Sequence, residues 1–328
     1  MVGCRIAYNL GSLLSMNDVL DCSKLADKKS NVDSIWLPES WGREALTSLG
    51  ALSQNTQRVK LGTAIISIYA RTPATVAMAA TTLDFLSKNR SIIGLGASTP
   101  AIVENWHGLK FRQPLARMRE YLECLKLMMK AEEVNYKGKF FSVKNFKLLY
   151  KPQRQNIPIF IAAVNKKMMS LATELADGIL LYLRPIDELR ETVSLIKSTN
   201  EGQSKEFEIA CVFICAISNN HPQKARERAA KTLAFYICVG RYYNQFLSQT
   251  GFIDEVNNII AKYRSDGLDA AAKTVSDKML DSLTISGTSE DCIKSLRRFL
   301  SCGITLPIIQ INPVGDAESS IRTMLSTF

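Results

Sequence analysis

The sequence predicts an α/β protein of the (β/α)8 TIM-barrel class with insertions, on three observations. Short β-rich runs alternate with segments whose apolar residues recur at helical spacing. Those runs are nearly continuous in apolar residues, as parallel strands buried on both faces are. Eight such runs fit within 328 residues, an ordinary span for eight strand–helix units. An open doubly wound sheet of this length would normally divide into two domains. No Pro/Gly/Ser-rich linker marks a division, so one domain over residues 1–328 is expected.

In chain order the strand candidates are CRIAYNL, DSIWLPE, VKLGTAII, RSIIGLGAS, IPIFIAAV, DGILLYL, FEIACVFICAI and TLPIIQIN. Between them, Val76, Ala79, Leu83 and Leu86 mark one helix, and Met118, Leu122, Leu125 and Met129 another. Pro73 stands where a first-turn proline would open the former, and Pro222 follows His221 where a later helix starts. Two stretches break the alternation. Residues 133–156 read as a basic hairpin between the fourth helix and the fifth strand. Residues 240–282 read as extra helices before the helix that leads into the eighth strand. That helix has a capping-box signal at Thr288-Ser289-Glu290-Asp291.

Composition narrows the function classes. With 46% hydrophobic and 22% charged residues, 17 Gly and 10 Pro, the chain is neither disordered, collagen-like nor a coiled coil. No apolar run approaches the roughly 18 residues of a membrane span, so no membrane partner is expected. The opening MVGCRIAYNLG reads as a first strand rather than a signal peptide, and a cytoplasmic location is expected. The eight cysteines (Cys4, Cys22, Cys124, Cys211, Cys215, Cys238, Cys292 and Cys302) form no C-x-x-C and read as reduced core thiols. Only His107 and His221 are available to a zinc site or a hydrolytic triad, and neither site nor triad is expected.

The net charge is +10, and residues 134–173 contain no acidic residue but eight cations. These are Lys137, Lys139, Lys144, Lys147, Lys151, Arg154, Lys166 and Lys167. They read either as a solvated surface or as a field that draws in a polyanion. No nucleic-acid motif accompanies them, so an anionic cofactor is the favoured partner.

Chemistry in this class sits at the C-terminal ends of the strands. The second strand ends Trp36-Leu37-Pro38-Glu39-Ser40-Trp41-Gly42-Arg43, which supplies either a site or a helix cap. The third passes through Ala64 and Ile65 to Tyr69-Ala70-Arg71-Thr72-Pro73. The fourth ends Gly94-Leu95-Gly96-Ala97-Ser98-Thr99, where small residues would let a flat ring approach the backbone. The fifth ends Ala163-Val164-Asn165-Lys166-Lys167 at a helix start, a ready anion site, and the sixth adds Arg184. No paired carboxylates, metal cluster or activated nucleophile appears. A cofactor would then carry the hard chemistry.

The runs WLPESWGREAL, RVKLGTAI, RTPATVAMAATTLD and IIGLGAS resemble the luciferase-like flavin and deazaflavin oxidoreductases. AAVNKKMMSLATELADGILL and LTISGTSEDCIKSLRRFLSCGI extend the resemblance over nearly the whole chain, and it is greatest to the F420-dependent branch that includes methylenetetrahydromethanopterin reductase. The resemblance implies coenzyme F420, with FMN as the alternative, a homodimer, and a non-proline cis peptide at Ala64–Ile65. It also implies hydride exchange between the deazaflavin C5 and a small organic substrate, a methylene-tetrahydropterin being one candidate. An FMN-dependent monooxygenase or a non-catalytic F420-binding protein are the alternatives.

Two acidic positions of that branch are Ala7 and Thr99 here, and its acidic–histidine pair becomes Glu39-Ser40. Glu39 is therefore the candidate proton-handling group. Ser40, Trp41, Ala64, Ile65, Gly96, Ala97, Ser98, Ala163, Val164 and Asn165 are the candidate cofactor-binding residues.

Overall fold

The computed structural model describes residues 5–150, 152–154, 156–200 and 206–328. Cys4 of the first strand candidate and Lys151 of the basic span lie outside the described residues. The strands are Ile6–Asn9 (β1), Val32–Leu37 (β2), Lys60–Thr63 (β3), Ile66–Ser67 (β4), Ser91–Gly96 (β5), Val134–Lys137 (β6), Ser142–Phe146 (β7), Ile159–Ala162 (β8), Gly178–Tyr182 (β9), Glu208–Ile217 (β10), Thr284–Gly287 (β11) and Leu306–Ile311 (β12). Every strand candidate is present. The fold class is the expected one, (β/α)8 with insertions.

The chain divides into two compact units. The first lies within Ser34–Leu180 and Lys205–Phe207. Here β2 pairs with β3, β3 with β5, β5 with β8 and β8 with β9, all parallel. Their apolar runs are buried, as strands covered on both faces must be. Two glycines set how closely these strands pack. A Cβ on Gly62 would stand 2.4 Å from the Trp36 ring, and one on Gly94 would stand 1.9 Å from the Thr63 carbonyl oxygen. The Trp36 indole N–H donates to Ser34 Oγ at 2.8 Å, which satisfies its one polar atom inside the core.

Polar groups close the N-terminal side of these strands. The Arg90 guanidinium donates to the carbonyls of Ser53, Thr56, Val59 and Ser87 and to the Thr56 hydroxyl, at 2.6–3.1 Å. Asp84, 2% exposed, accepts from Arg154 Nε at 2.9 Å and from the Ser91 hydroxyl at 2.6 Å. Arg154, counted with the basic span, is thus neutralised within the fold.

The helices form where predicted, but the buried face of Pro73–Leu86 runs through Val76, Ala77, Ala80 and Leu83, with Leu86 exposed. Pro73–Leu86 opens on Pro73, and the Thr72 hydroxyl accepts from Thr75 N–H at 3.2 Å. Pro114–Met129 carries the basic hairpin, with β6 and β7 antiparallel. The Glu120 carboxylate accepts the amides of Lys139 and Phe140 at 2.9 and 2.8 Å, and Tyr136 O–H donates to Glu123 at 3.0 Å.

The second unit lies within Met1–Asp33, Leu181–Ser204 and Glu208–Phe328. Its longest strand, β10, pairs in parallel with β12 over Ala210–Cys215 and with β11 over Ile214–Ile217, and β12 pairs with β1. The 240–282 insertion is helical, as expected. Arg241–Leu247, Ile253–Asp266, Leu268–Ala272 and Asp277–Leu283 follow the long helix Pro222–Val239. Leu233, Ile237, Leu247, Phe252, Val256 and Ile259 form their shared core.

The short strand β11 lies outside the strand candidates, since four residues are too few to show alternation. Directly after it, Thr288 and Asp291 form the predicted capping box of helix Ser289–Leu300. Arg184 is not a rim cation. It is buried, bonded to Glu188 and stacked 4.5 Å from the Phe246 ring centroid. Among the described residues seven cysteines are free thiols, and all but the half-buried Cys238 are buried. Burial pushes the Cys22 thiol up to about 12, with a further rise from the Asp18 charge, which keeps it protonated. No helix among the described residues is long and apolar enough to cross a membrane.

Candidate active site

Parallel strands share one C-terminal edge, and burial changes sharply there. Ser34–Leu37 is buried but Pro38–Ser40 is half-open, and β5 is buried to Gly96 but half-open at Ala97–Thr99. Within the stretch Leu61–Tyr69 only Ala64 and Ile65 are partly open. The Ala64–Ile65 peptide is cis, as the resemblance implies.

Hydrogen bonds draw these ends together. Ala64 N–H donates to the Leu37 carbonyl at 2.8 Å, and Glu39 N–H to the Ile65 carbonyl at 3.3 Å. The Thr63 hydroxyl donates to the Gly94 carbonyl and accepts from Gly94 N–H, both at 2.8 Å. Ile68 N–H reaches the Gly96 carbonyl at 3.0 Å. A Cβ on Gly96 would lie 2.7 Å from Ile65 Cγ1 and Cδ1. The absent Gly96 side chain therefore makes room for Ile65, rather than for a ligand directly. Glu39, Ala64, Ile65 and Gly96 thus form one joined group.

The Glu39 side chain belongs to a charged cluster. Its Oε2 accepts from the Ala45 amide at 3.1 Å and from Arg71 Nη2 at 2.8 Å. Arg71 also bonds Glu44, the N-cap of helix Ala45–Asn55, which takes the amides of Leu46 and Thr47. Burial alone would raise the Glu44 carboxyl. The bonds from Thr47 and Leu46, with the Arg71 charge, outweigh it and hold Glu44 below the usual carboxylate range. Arg71 is held above its ordinary value: burial opposes its charge, but the bond to Glu39 and the charges of both carboxylates win. Glu39 Oε1 takes no hydrogen bond from the described residues, although the side chain is 19% exposed.

Aromatic residues flank this group. Tyr69 stacks on Phe111 with centroids 5.1 Å apart, and Arg117 lies 4.7 Å over the Tyr69 ring. Burial pushes the Tyr121 phenol above its ordinary value, partly offset by the charges of Arg71 and Arg117. Among the described residues, Tyr121 Oη and the Nε atoms of Arg71 and Arg117 are buried without hydrogen-bond partners. Trp41 and Ser98 have φ of +45° and +62°, a left-handed backbone that such residues rarely adopt and that recurs at ligand sites.

At the end of β8, Ala163 N–H bonds the Leu180 carbonyl at 3.2 Å, Val164 is half-open and Asn165 is exposed. The Asn165 side chain caps helix Lys166–Leu175 through Met168 N–H at 3.0 Å. A hollow of about 360 Å³ lies against this helix start, lined by Pro114, Leu115, Asn165, Lys166, Lys167 and Met168. Thr99, at a position acidic in the reductase branch, caps helix Pro100–Asn105 through Ile102 N–H at 3.4 Å.

Sequence reasoning left Arg71 and Glu44 out of the site. A signal for Arg71 existed, because it precedes the Thr72–Pro73 helix start at a strand end. Its two carboxylate partners lie 32 and 27 residues upstream, where spacing gives no hint.

Comparison with known proteins identifies the family and the fold. The family model described as luciferase-like monooxygenase matches residues 6–306. A protein of Mycobacterium tuberculosis, provisionally named a coenzyme F420-dependent oxidoreductase, is 30% identical over 320 residues, covering 89% of this chain and 90% of its own. The 5,10-methylenetetrahydromethanopterin reductase of Archaeoglobus fulgidus is 28% identical over 311 residues, 91% of each chain. The solved structure of the coenzyme F420-dependent tetrahydromethanopterin reductase from Methanopyrus kandleri superposes with a TM-score of 0.85 at 19% identity, covering 99% of this chain and 98% of that one. The chain belongs to the luciferase-like monooxygenase family.

Proposed function

We propose that this protein is an F420-dependent oxidoreductase that exchanges a hydride between the deazaflavin C5 and a small organic substrate. The observation that carries the reading is the half-open Ala64–Ile65 turn, pinned by Leu37, Glu39 and Gly96 within an otherwise buried stretch. The relatives named for F420 support the choice of cofactor.

The residues present suit such a group. The open edge offers backbone and small side chains to a flat ring, and the helix start with Lys166 and Lys167 suits an anionic tail. Ala64 and Ile65 would back the ring. Ser40, Trp41, Gly96, Ala97 and Ser98 would border it, and Ala163, Val164 and Asn165 would meet the phosphate side. When bound, the deazaflavin supplies a two-electron hydride carrier.

Glu39 handles the accompanying proton at Oε1, while Arg71 and the Ala45 amide hold Oε2 in place. The reduced thiols support a cytoplasmic location. Helix Pro73–Leu86 leaves Met78, Phe85 and Leu86 exposed, an apolar face that suits a homodimer of single-domain chains.

The test is turnover. Protein carrying reduced F420 is offered carbonyl, imine and enone acceptors, and recovery of the oxidised cofactor's visible absorbance is followed. Recovery with at least one acceptor supports the reading. Tight F420 binding with no acceptor consumed would instead indicate a cofactor-binding protein.

A further inference from the structure

Two exposed tryptophans meet beside the candidate active site. Trp41 is 47% exposed and Trp106 is 51% exposed, and their ring centroids lie 5.4 Å apart at 88°. They come from separate turns, one after β2 and the other closing helix Pro100–Asn105 after β5. The third tryptophan, Trp36, is fully buried and bonded to Ser34, as an indole in a core should be.

A perpendicular pair forms a corner. A planar group can stack on one ring while its border meets the other. The corner is continuous with the site, since Glu39 is two residues before Trp41 and its amide bonds the Ile65 carbonyl. The left-handed φ of +45° at Trp41 is unfavourable for a bulky residue, so the turn is held against local preference. Around the pair, Gly42 and Gly108 add no side chain, and Leu109 is exposed.

We propose that Trp41 and Trp106 form a substrate subsite for a planar fused-ring compound, in preference to a small aliphatic one. The inference rests on the oxidoreductase reading for what happens to that compound, but not for its binding.

The experiment is calorimetric titration of the protein with naphthalene-2-methanol and with 2-propanol, in the presence and absence of F420. Acrylamide quenching of tryptophan emission is followed in parallel. The naphthyl alcohol should bind saturably and shield emission from acrylamide, and 2-propanol should do neither. Trp106→Ala should weaken naphthyl binding about tenfold, Trp106→Phe should restore most of it, and neither should alter F420 affinity. Unchanged naphthyl affinity in Trp106→Ala, or binding without shielding, would overturn the proposal. If the naphthyl alcohol binds at the tryptophans while F420 does not bind at all, the subsite stands and the cofactor reading falls.

Discussion

The two ends of the same parallel strands in the Ser34–Leu180 unit are built differently. At the N-terminal end Arg90 spends its donors on four carbonyls and a hydroxyl, and Asp84 is closed by Arg154 and Ser91. At the C-terminal end the Arg71 and Arg117 Nε atoms and Tyr121 Oη are buried without hydrogen-bond partners among the described residues. Trp41 and Ser98 hold left-handed backbone there, and two indoles face solvent. A buried polar group left unpaired costs about 1–3 kcal/mol, so the second arrangement is kept for a reason other than stability. One end is closed by paired polar groups, and the other is the edge proposed to take a ligand.

Substitutions at the two ends should therefore separate stability from activity. The largest loss of stability should follow Asp84→Ala, which strips a buried charge from Arg154. Denaturant unfolding should show a loss of about 3–5 kcal/mol. A loss under about 1 kcal/mol would mean that the N-terminal network is not what closes this unit.

Glu39→Gln should behave in the opposite way. The amide can still accept from Arg71 and Ala45, so the midpoint of unfolding should hardly move. Turnover should fall at least about a hundredfold while F420 affinity is kept. Unaltered turnover would leave Glu39 as a cap and partner of Arg71, with solvent handling the proton.

Gly96→Ala tests the joint between the strands at the site. The new methyl would meet Ile65, so a stability loss of about 1–3 kcal/mol should accompany weaker F420 binding. Weakened stability with unchanged cofactor affinity would separate the Ile65 turn from the ring.

The smallest effect is expected from acid. The Glu44 carboxyl is lowered in the folded protein, so the stability it contributes is present above the ordinary carboxylate value of about 4.3. That stability is lost as pH falls through the lowered value. Glu44→Gln should therefore lower stability slightly at neutral pH and flatten the acid side of the pH–stability curve, so that the two proteins converge as pH falls below about 4.

How much of this was legible in the sequence follows the range of the interactions. Continuous apolar runs and local caps, such as Thr72 before Pro73 and Thr288 with Asp291, are short-range signals, and they located the strands and helix starts. The Ala64–Ile65 turn was reached through resemblance, since nothing in its two side chains announces it. The polar contacts that define the site span long separations and were not legible. Arg71 reaches back 32 residues to Glu39, and Arg154 reaches back 70 to Asp84, which removes one cation from the apparent basic field. The sequence reads Gly96 as a small residue that lets a flat ring approach the backbone, whereas the room it leaves is occupied by Ile65, visible only once the turn is folded.

The central claim is that the C-terminal edge holds a deazaflavin with an anionic tail. Titration of cofactor-free protein with F420 and with FMN, at low and high salt, tests it most directly. The account predicts tighter binding of F420, with affinity that falls as salt screens Lys166 and Lys167. FMN binding far more tightly than F420 would contradict it.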